Sequence, residues 1–200
     1  MTLAPERLRE PSPRTKRWTV ADYQRLADLG FLPGRYELIE GEILEKMPPN
    51  PPHIFALILL AAWLQEVFGK HSVRSQVPLR LPDPKHQPEP DAAVTREPAS
   101  AYATRLPEPA DLLLVVEVSD STLEYDTGRK ALLYAQAGII EYWTLDLNGR
   151  RMVVHRQPTQ NGYSSVVSYA EQESVSPLAR PEAAVGISQL LPEPEETENV

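Results

Sequence analysis

Hydrophobic positions fall into short alternating stretches and two solid apolar blocks, separated by prolines and glycines. Trp18, Tyr23, Leu26 and Leu29 recur at roughly helical spacing behind Thr19, a residue suited to cap a helix start, which predicts a short helix over Trp18–Leu29. Tyr36-Glu37-Leu38-Ile39 and Glu42-Ile43-Leu44-Glu45 flank Glu40-Gly41, where glycine supplies the positive φ of a tight hairpin. His53 to Phe68 follows a proline-rich break and is apolar almost all round, closed by Gly69 and Lys70. It reads as a helix buried in the core or in a subunit interface. Val73, Ser75, Val77, Leu79 and Leu81 alternate as on a half-exposed strand, Asp91 to Val94 supplies a short strand, and Leu112 to Val118 is the continuous run of a central one. A helix is predicted from about Asp126 to Ala137, stopped by Gly138, then a strand over Ile140–Leu145. Asn148-Gly149 turns into Met152–His155, and Tyr163–Tyr169 adds another strand. The order is α/β with several antiparallel members.

Composition narrows the setting. At 200 residues the chain can bury one core, expected over residues 18–191 between a disordered N-terminal tail, 1–17, and an acidic C-terminal tail, 192–200. No residue is cysteine, which excludes disulfides, thiolate metal sites and cysteine nucleophiles and leaves oxygen or imidazole to hold any metal. The N-terminus lacks an apolar leader, and the run Ile54–Leu64 is short of the roughly 20 residues that span a bilayer. The expectation is a cytoplasmic protein without membrane contact. A net charge of −8 argues against gripping nucleic acid over a broad basic face. It leaves room for a bound cation and a few local basic groups to hold one phosphate.

The informative acid is Glu117, set inside Leu112–Val118. An ionised carboxylate in such a strand costs several kcal/mol in order of magnitude unless it is paired or bound to a cation. Strand polarity reverses after Val118, so Glu117 lies near the strand end, where α/β proteins commonly place ligands. A salt bridge to an arginine would also explain it. Asp91, after Pro88 and Pro90, is a second candidate, though an acid after proline is often a turn residue. Two acids converging on one point repel, and a divalent cation relieves the repulsion.

Tyr36-Glu37-Leu38-Ile39-Glu40-Gly41-Glu42, Pro90-Asp91, Val115-Val116-Glu117-Val118-Ser119, and Lys130 through Tyr134-Ala135-Gln136-Ala137-Gly138-Ile139 to Glu141-Tyr142-Trp143 together resemble the Uma-two family of restriction endonucleases, within the PD-(D/E)xK nuclease superfamily. The likeness covers roughly Trp18 to Leu191 in order. It implies a restriction-endonuclease-like αβββαβ core with a mixed sheet and added hairpins, dependence on Mg²⁺ (or Mn²⁺), and hydrolysis of a nucleic-acid phosphodiester, DNA being the expected substrate. By the resemblance, Asp91, Glu117 and the Val118 carbonyl hold the metal. The superfamily's lysine position is occupied by Ser119, which carries no charge, and the resemblance assigns that role to Lys130 in the following helix. A solvated helical lysine is the plain alternative.

Glu42 answers to the superfamily's additional acid, with Glu37 nearly as good. His53 is a candidate substrate or metal contact, or else a helix cap; Tyr134, one helical turn from Lys130, either orients it or packs in the core. Tyr142 and Trp143 are expected to be structural. Arg74, Arg80 and Arg96 are candidate phosphate contacts. The apolar helix and the resemblance together imply a homodimer. A catalytically silent nuclease-fold interaction module is the competing reading, favoured by the acidic charge.

Overall fold

The computed structural model describes residues 14–193, so the two tail expectations lie outside the described residues except at 14–17 and 192–193. Helix α1 (Val20–Asp28) opens on Thr19, whose side chain accepts from the Asp22 N–H while Asp22 reaches back to the Thr19 N–H. Strands β1 (Tyr36–Ile39) and β2 (Glu42–Glu45) form their own antiparallel pair. Both turn residues have positive φ, 52° at Glu40 and 74° at Gly41, as a two-residue hairpin of this hand requires. Leu38 is bridged to Gln87, and the Tyr23 hydroxyl donates to the Tyr36 carbonyl, so the hairpin is tied to its surroundings on two sides.

Helix α2 (Pro51–Phe68) is capped by Asn50, which accepts from the His53 N–H at 3.0 Å; Pro51 and Pro52 fit the first turn because no N–H partner is lost there. The apolar sequence fits burial in the core or in a subunit interface, and the single chain shows only part of that burial. Within the chain Ala56, Leu60 and Leu64, one stripe at i, i+4, i+8, are buried, while Ile54, Phe55 and Ile58 face outward. By length and composition α2 could cross a membrane, yet its buried stripe belongs to the core packed on the sheet.

The main sheet runs β3 (Val73–Ser75), β4 (Ala92–Thr95), β5 (Leu112–Ser119), β6 (Glu141–Asp146), β7 (Arg151–Thr159), β8 (Gly162–Ala170) in spatial order. Every pairing is antiparallel except β5 with β6. That parallel pair needs a crossover, supplied by α3 (Leu123–Tyr125), a π-helical turn (Asp126–Lys130) and α4 (Ala131–Gln136). Counted from α2 to β6, the order is αβββαβ. Two short strands, β9 (Ser174–Val175) and β10 (Val185–Gly186), close the chain. The predicted strand through Val77, Leu79 and Leu81 stops at Ser75, because Gln76 takes φ 53° and turns the chain; Leu79 and Leu81 are still buried, carried by a loop.

Two cores sandwich the sheet. Val116, Val118 and Leu114 of β5 join Leu60, Leu64 and Trp143 on the α2 side, and Val115 joins Tyr134, Ile139 and Tyr142 on the α4 side. Period-2 alternation therefore aims Glu117 toward α4. Gly41 is a close backbone approach: a Cβ there would lie 2.8 Å from the Arg17 Cβ and 3.0 Å from the Trp18 carbonyl oxygen, at a φ that side chains rarely adopt. Gly41→Ala should lower unfolding free energy by about 1–2 kcal/mol, the cost of a left-handed non-glycine residue. Chemical denaturation with an unchanged midpoint would contradict this.

Candidate active site

Prolines 88 and 90 deliver Asp91 to the point where β4 parts from β5. The last β4–β5 partners are Ala92 and Val116, so the Val118 N–H has left the ladder; the Asp91 Oδ2 receives it at 2.9 Å. The same oxygen faces His53 Nε2 at 3.2 Å, and the Asp91 N–H points at Glu117 Oε2 at 3.4 Å. Burial raises the proton affinity of Asp91, but the hydrogen bond and charge of His53, the charge of Lys46 and the Val118 N–H outweigh it, leaving the carboxyl below its ordinary range. The His53 pKa moves the opposite way, raised chiefly by its bond to Asp91 against the opposing effect of burial, with the Val118 carbonyl also contributing.

Glu117 is 3% exposed, and its Oε1 accepts from Lys130 Nζ and from the Tyr134 hydroxyl, both at 2.9 Å. Lys130 is equally buried, which rules out the solvated-helix alternative. Its ammonium also meets Glu37 Oε2 at 3.3 Å and Asp126 Oδ1 at 4.0 Å. Burial opposes the charge on Lys130, but these carboxylates prevail and its pKa is raised. Glu117 is pushed up to about 8, by burial first; Lys130 pulls it down, and the charges of Asp91 and Asp126 add to the rise. Asp126 and Lys130, at i, i+4 spacing, face one side of a π-helical turn, and widened turns of this kind recur at functional sites. Asp126 accepts from Ser119 Oγ at 2.9 Å and Thr122 Oγ1 at 2.6 Å.

Six of the eight residues anticipated from sequence therefore have side chains in one cluster, namely Asp91, Glu117, Lys130, His53, Ser119 and Tyr134, with the Val118 backbone beside them. Glu42 is elsewhere. It lies beside the hairpin turn, pairs with Arg17 and with Arg129, and is held ionised chiefly by Arg129. The acid that reaches Lys130 from the hairpin is Glu37, fixed in turn by the Glu89 N–H. Asp126 and Lys46 were not anticipated; the i, i+4 spacing of Asp126 and Lys130 behind a buried strand was the available signal for the first. Arg74 packs against Tyr102, Arg80 pairs with Glu108, and Arg96 donates to the Ala110 carbonyl, none of them lining the cleft. Trp143 stacks on Trp63 at 6.1 Å, the structural role expected of it. A cleft of about 420 Å³ opens onto Asp91, Glu117 and Lys130 between the segment after β2, the start of α2 and the segment after β5.

An αβββαβ core with an acid pair at the end of its central strand and a lysine reaching it from the following helical turn defines a restriction-endonuclease-like protein. The chain belongs to the Uma2 family, described as "Putative restriction endonuclease", whose profile matches residues 20–188. Among solved structures it is similar to one described as a putative nuclease belonging to DUF820 from Anabaena variabilis ATCC 29413, with a TM-score of 0.66 and 19% identity over 86% of this chain and 96% of that one. No curated protein matches the sequence.

Glu117 gives the site a pH signature. Its ordinary value is 4.5 and its folded value about 8, so between them the folded protein binds more protons than the unfolded chain. The associated stability is complete below the lower value and is lost as pH rises through the upper one. In metal-free protein the melting temperature should fall from pH 5 to pH 9 (conditions of about this range suffice), and Glu117→Gln should flatten that fall. Parallel curves for wild type and variant would refute the shift.

Proposed function

We propose that the chain is a divalent-metal-dependent endonuclease that hydrolyses phosphodiester bonds of DNA. The observation that carries this reading is the buried Glu117–Lys130 pair, which opens through Asp91 onto a cleft wide enough for a phosphodiester. Mg²⁺ or Mn²⁺ fits the donor set. Asp91 and Glu117 would hold it with the Val118 carbonyl, and Glu117 Oε2 has only a long contact, 3.4 Å to the Asp91 N–H, to give up. Among the described residues no three His, Asp or Glu side chains are grouped to hold a metal by themselves. Two carboxylates with a carbonyl suit Mg²⁺, which usually keeps waters and phosphate oxygens in its remaining positions. When bound, the cation supplies polarisation of the phosphodiester and a water of lowered pKa.

The side chains divide the remaining work. Tyr134 and Lys130 together fix the direction of Glu117 Oε1, leaving Oε2 toward Asp91. Glu37 holds the lysine from the other side, and of its three N–H donors the carboxylates Glu117 and Glu37 engage two. The third, which among the described residues has Asp126 Oδ1 at 4.0 Å and no closer carboxylate, is the one that stabilises charge developing on the phosphate or positions the attacking water. With a net charge of −8, binding of bulk DNA is weak and concentrated at the cleft.

The uncharged outward stripe Ile54, Phe55 and Ile58 of α2 supports a homodimer in which two copies pack these helices across a two-fold axis. Ile58→Lys should then convert a dimer to a monomer in sedimentation analysis, and an unchanged mass would exclude this seam.

Three measurements test the activity. Millimolar Mg²⁺ or Mn²⁺ should raise the melting temperature of wild type and not of Asp91→Ala, since only the folded two-acid site binds the ion. Magnesium-dependent nicking of plasmid DNA should accompany it, and its complete absence would leave the silent-module reading. Lys130→Gln should cut the rate of the chemical step roughly 100-fold while the thermal response to metal persists. Wild-type rates in that variant would remove Lys130 from the chemistry.

A further inference from the structure

The cleft has one wall that the chemistry above leaves unused. The basic side chains that line it are Lys130, His53 and Lys46. Lys130 is engaged by Glu117 and Glu37, and His53 by Asp91. Lys46 is different. It follows β2 directly, its ammonium donates to the Glu89 carbonyl, and among the described residues it enters no salt bridge. The Glu89 carboxylate, the acid closest in sequence to that carbonyl, is already paired with Arg35. One acceptor for a group with three N–H donors leaves two donors to satisfy. Lys46 is half-buried and lines the cleft, which leaves its remaining donors available to solvent or to a group bound there. Its charge is felt throughout the site, where it favours the ionised forms of Asp91 and Glu117 and disfavours protonated His53.

The adjacent helix end offers no substitute. Pro51 and Pro52 have no N–H, the His53 N–H is taken by the Asn50 side chain, and the Ile54 N–H by the Asn50 carbonyl. The Asn50 amide itself donates to Asp120. A polyanion entering the cleft meets Glu37, Glu45, Asp91, Glu117, Asp120 and Asp126, and among the described lining residues Lys46 is the cation not already neutralised by one of them.

We infer that Lys46 forms a phosphate subsite, donating to a non-bridging oxygen of a backbone phosphate beside the scissile one. The subsite rests on the nuclease reading. A purely structural alternative is that Lys46 only ties down the Pro88–Asp91 segment through the Glu89 carbonyl. The two are separable because a tether acts on Asp91 and therefore on kcat and stability, whereas a subsite acts on substrate affinity.

The experiment uses the full chain with Lys46→Met, which keeps the stem and removes the charge, and Lys46→Arg, which restores it. Binding to a duplex oligonucleotide is followed by fluorescence anisotropy without metal across a salt series, and steady-state cleavage is measured with Mg²⁺. Lys46→Met should raise Kd and KM about tenfold, as for one charge-assisted hydrogen bond, with kcat falling by a smaller factor. The slope of log Kd against log salt should drop by about 0.9, one duplex phosphate contact, and Lys46→Arg should recover most of both effects. Duplexes carrying a single neutral methylphosphonate locate the phosphate: one position should weaken wild type as much as Lys46→Met does, and weaken Lys46→Met no further. Unchanged Kd, KM and salt slope would overturn the subsite. So would a fall in kcat and melting temperature at constant KM, which assigns Lys46 to the tether. A wild type that cleaves no DNA defeats the nuclease reading and the subsite with it, a result distinct from an active wild type indifferent to Lys46.

Discussion

The site depends on one buried ammonium. Lys130 lies almost out of contact with water, and the carboxylates of Glu117, Glu37 and Asp126 approach it from β5, β1 and the preceding helical turn. No member of this group is tolerable alone, since removing one partner of a buried ion pair costs on the order of 3–5 kcal/mol. The pairing therefore also acts on the fold. The β1–β2 hairpin belongs to a separate sheet, and Glu37 is one of the contacts that fasten it over the end of β5. The helical turn belongs to the same constraint, because the i, i+4 spacing of Asp126 and Lys130 puts both on one side while Tyr134, the next turn on, reaches Glu117.

Much of this was legible in the order of apolar and polar residues. The central strand, the Glu40-Gly41 hairpin and the α/β alternation follow from strong local periods that no tertiary contact overrides, whereas the turn at Asn148-Gly149 widens to Leu147–Arg150 and takes its positive φ at Arg150. The strand through Val77 and Leu81 was misread because burial and alternation do not require strand: a loop turned by Gln76 delivers Leu79 and Leu81 to the same core. Glu37 and Glu42 could not be separated by period. In the hairpin register Glu37 faces Leu44 and Ile39 faces Glu42, so both acids occupy the face that carries Ile39 and Leu44. They differ in depth alone: Glu37 lies at the far end, over β5, and Glu42 beside the turn, among arginines. Asp126 was hidden for another reason. An acid at the start of a helix normally serves the helix dipole, and its use by Ser119 and Thr122 is visible only once the strand end and the turn are adjacent.

Asp91 and Glu117 are close neighbours with opposite proton affinities, and the asymmetry has a structural origin. Asp91 stands where the β4–β5 ladder opens, so a backbone N–H and an imidazole are available to stabilise its charge. Glu117 lies inside the sheet, where desolvation exceeds what Lys130 returns. An acid in that position holds a proton more tightly than usual, and a divalent cation would compete with that proton because it neutralises both carboxylates at once. The same arrangement reconciles an acidic surface with a polyanionic substrate. Repulsion between exposed charges is largely screened beyond about 8 Å at physiological ionic strength. On the proposed reading, attraction by a bound cation and a lysine inside a partly enclosed cleft would be screened much less, so the field at a bound phosphate would be set by the few groups that line the cleft rather than by the net charge of the chain.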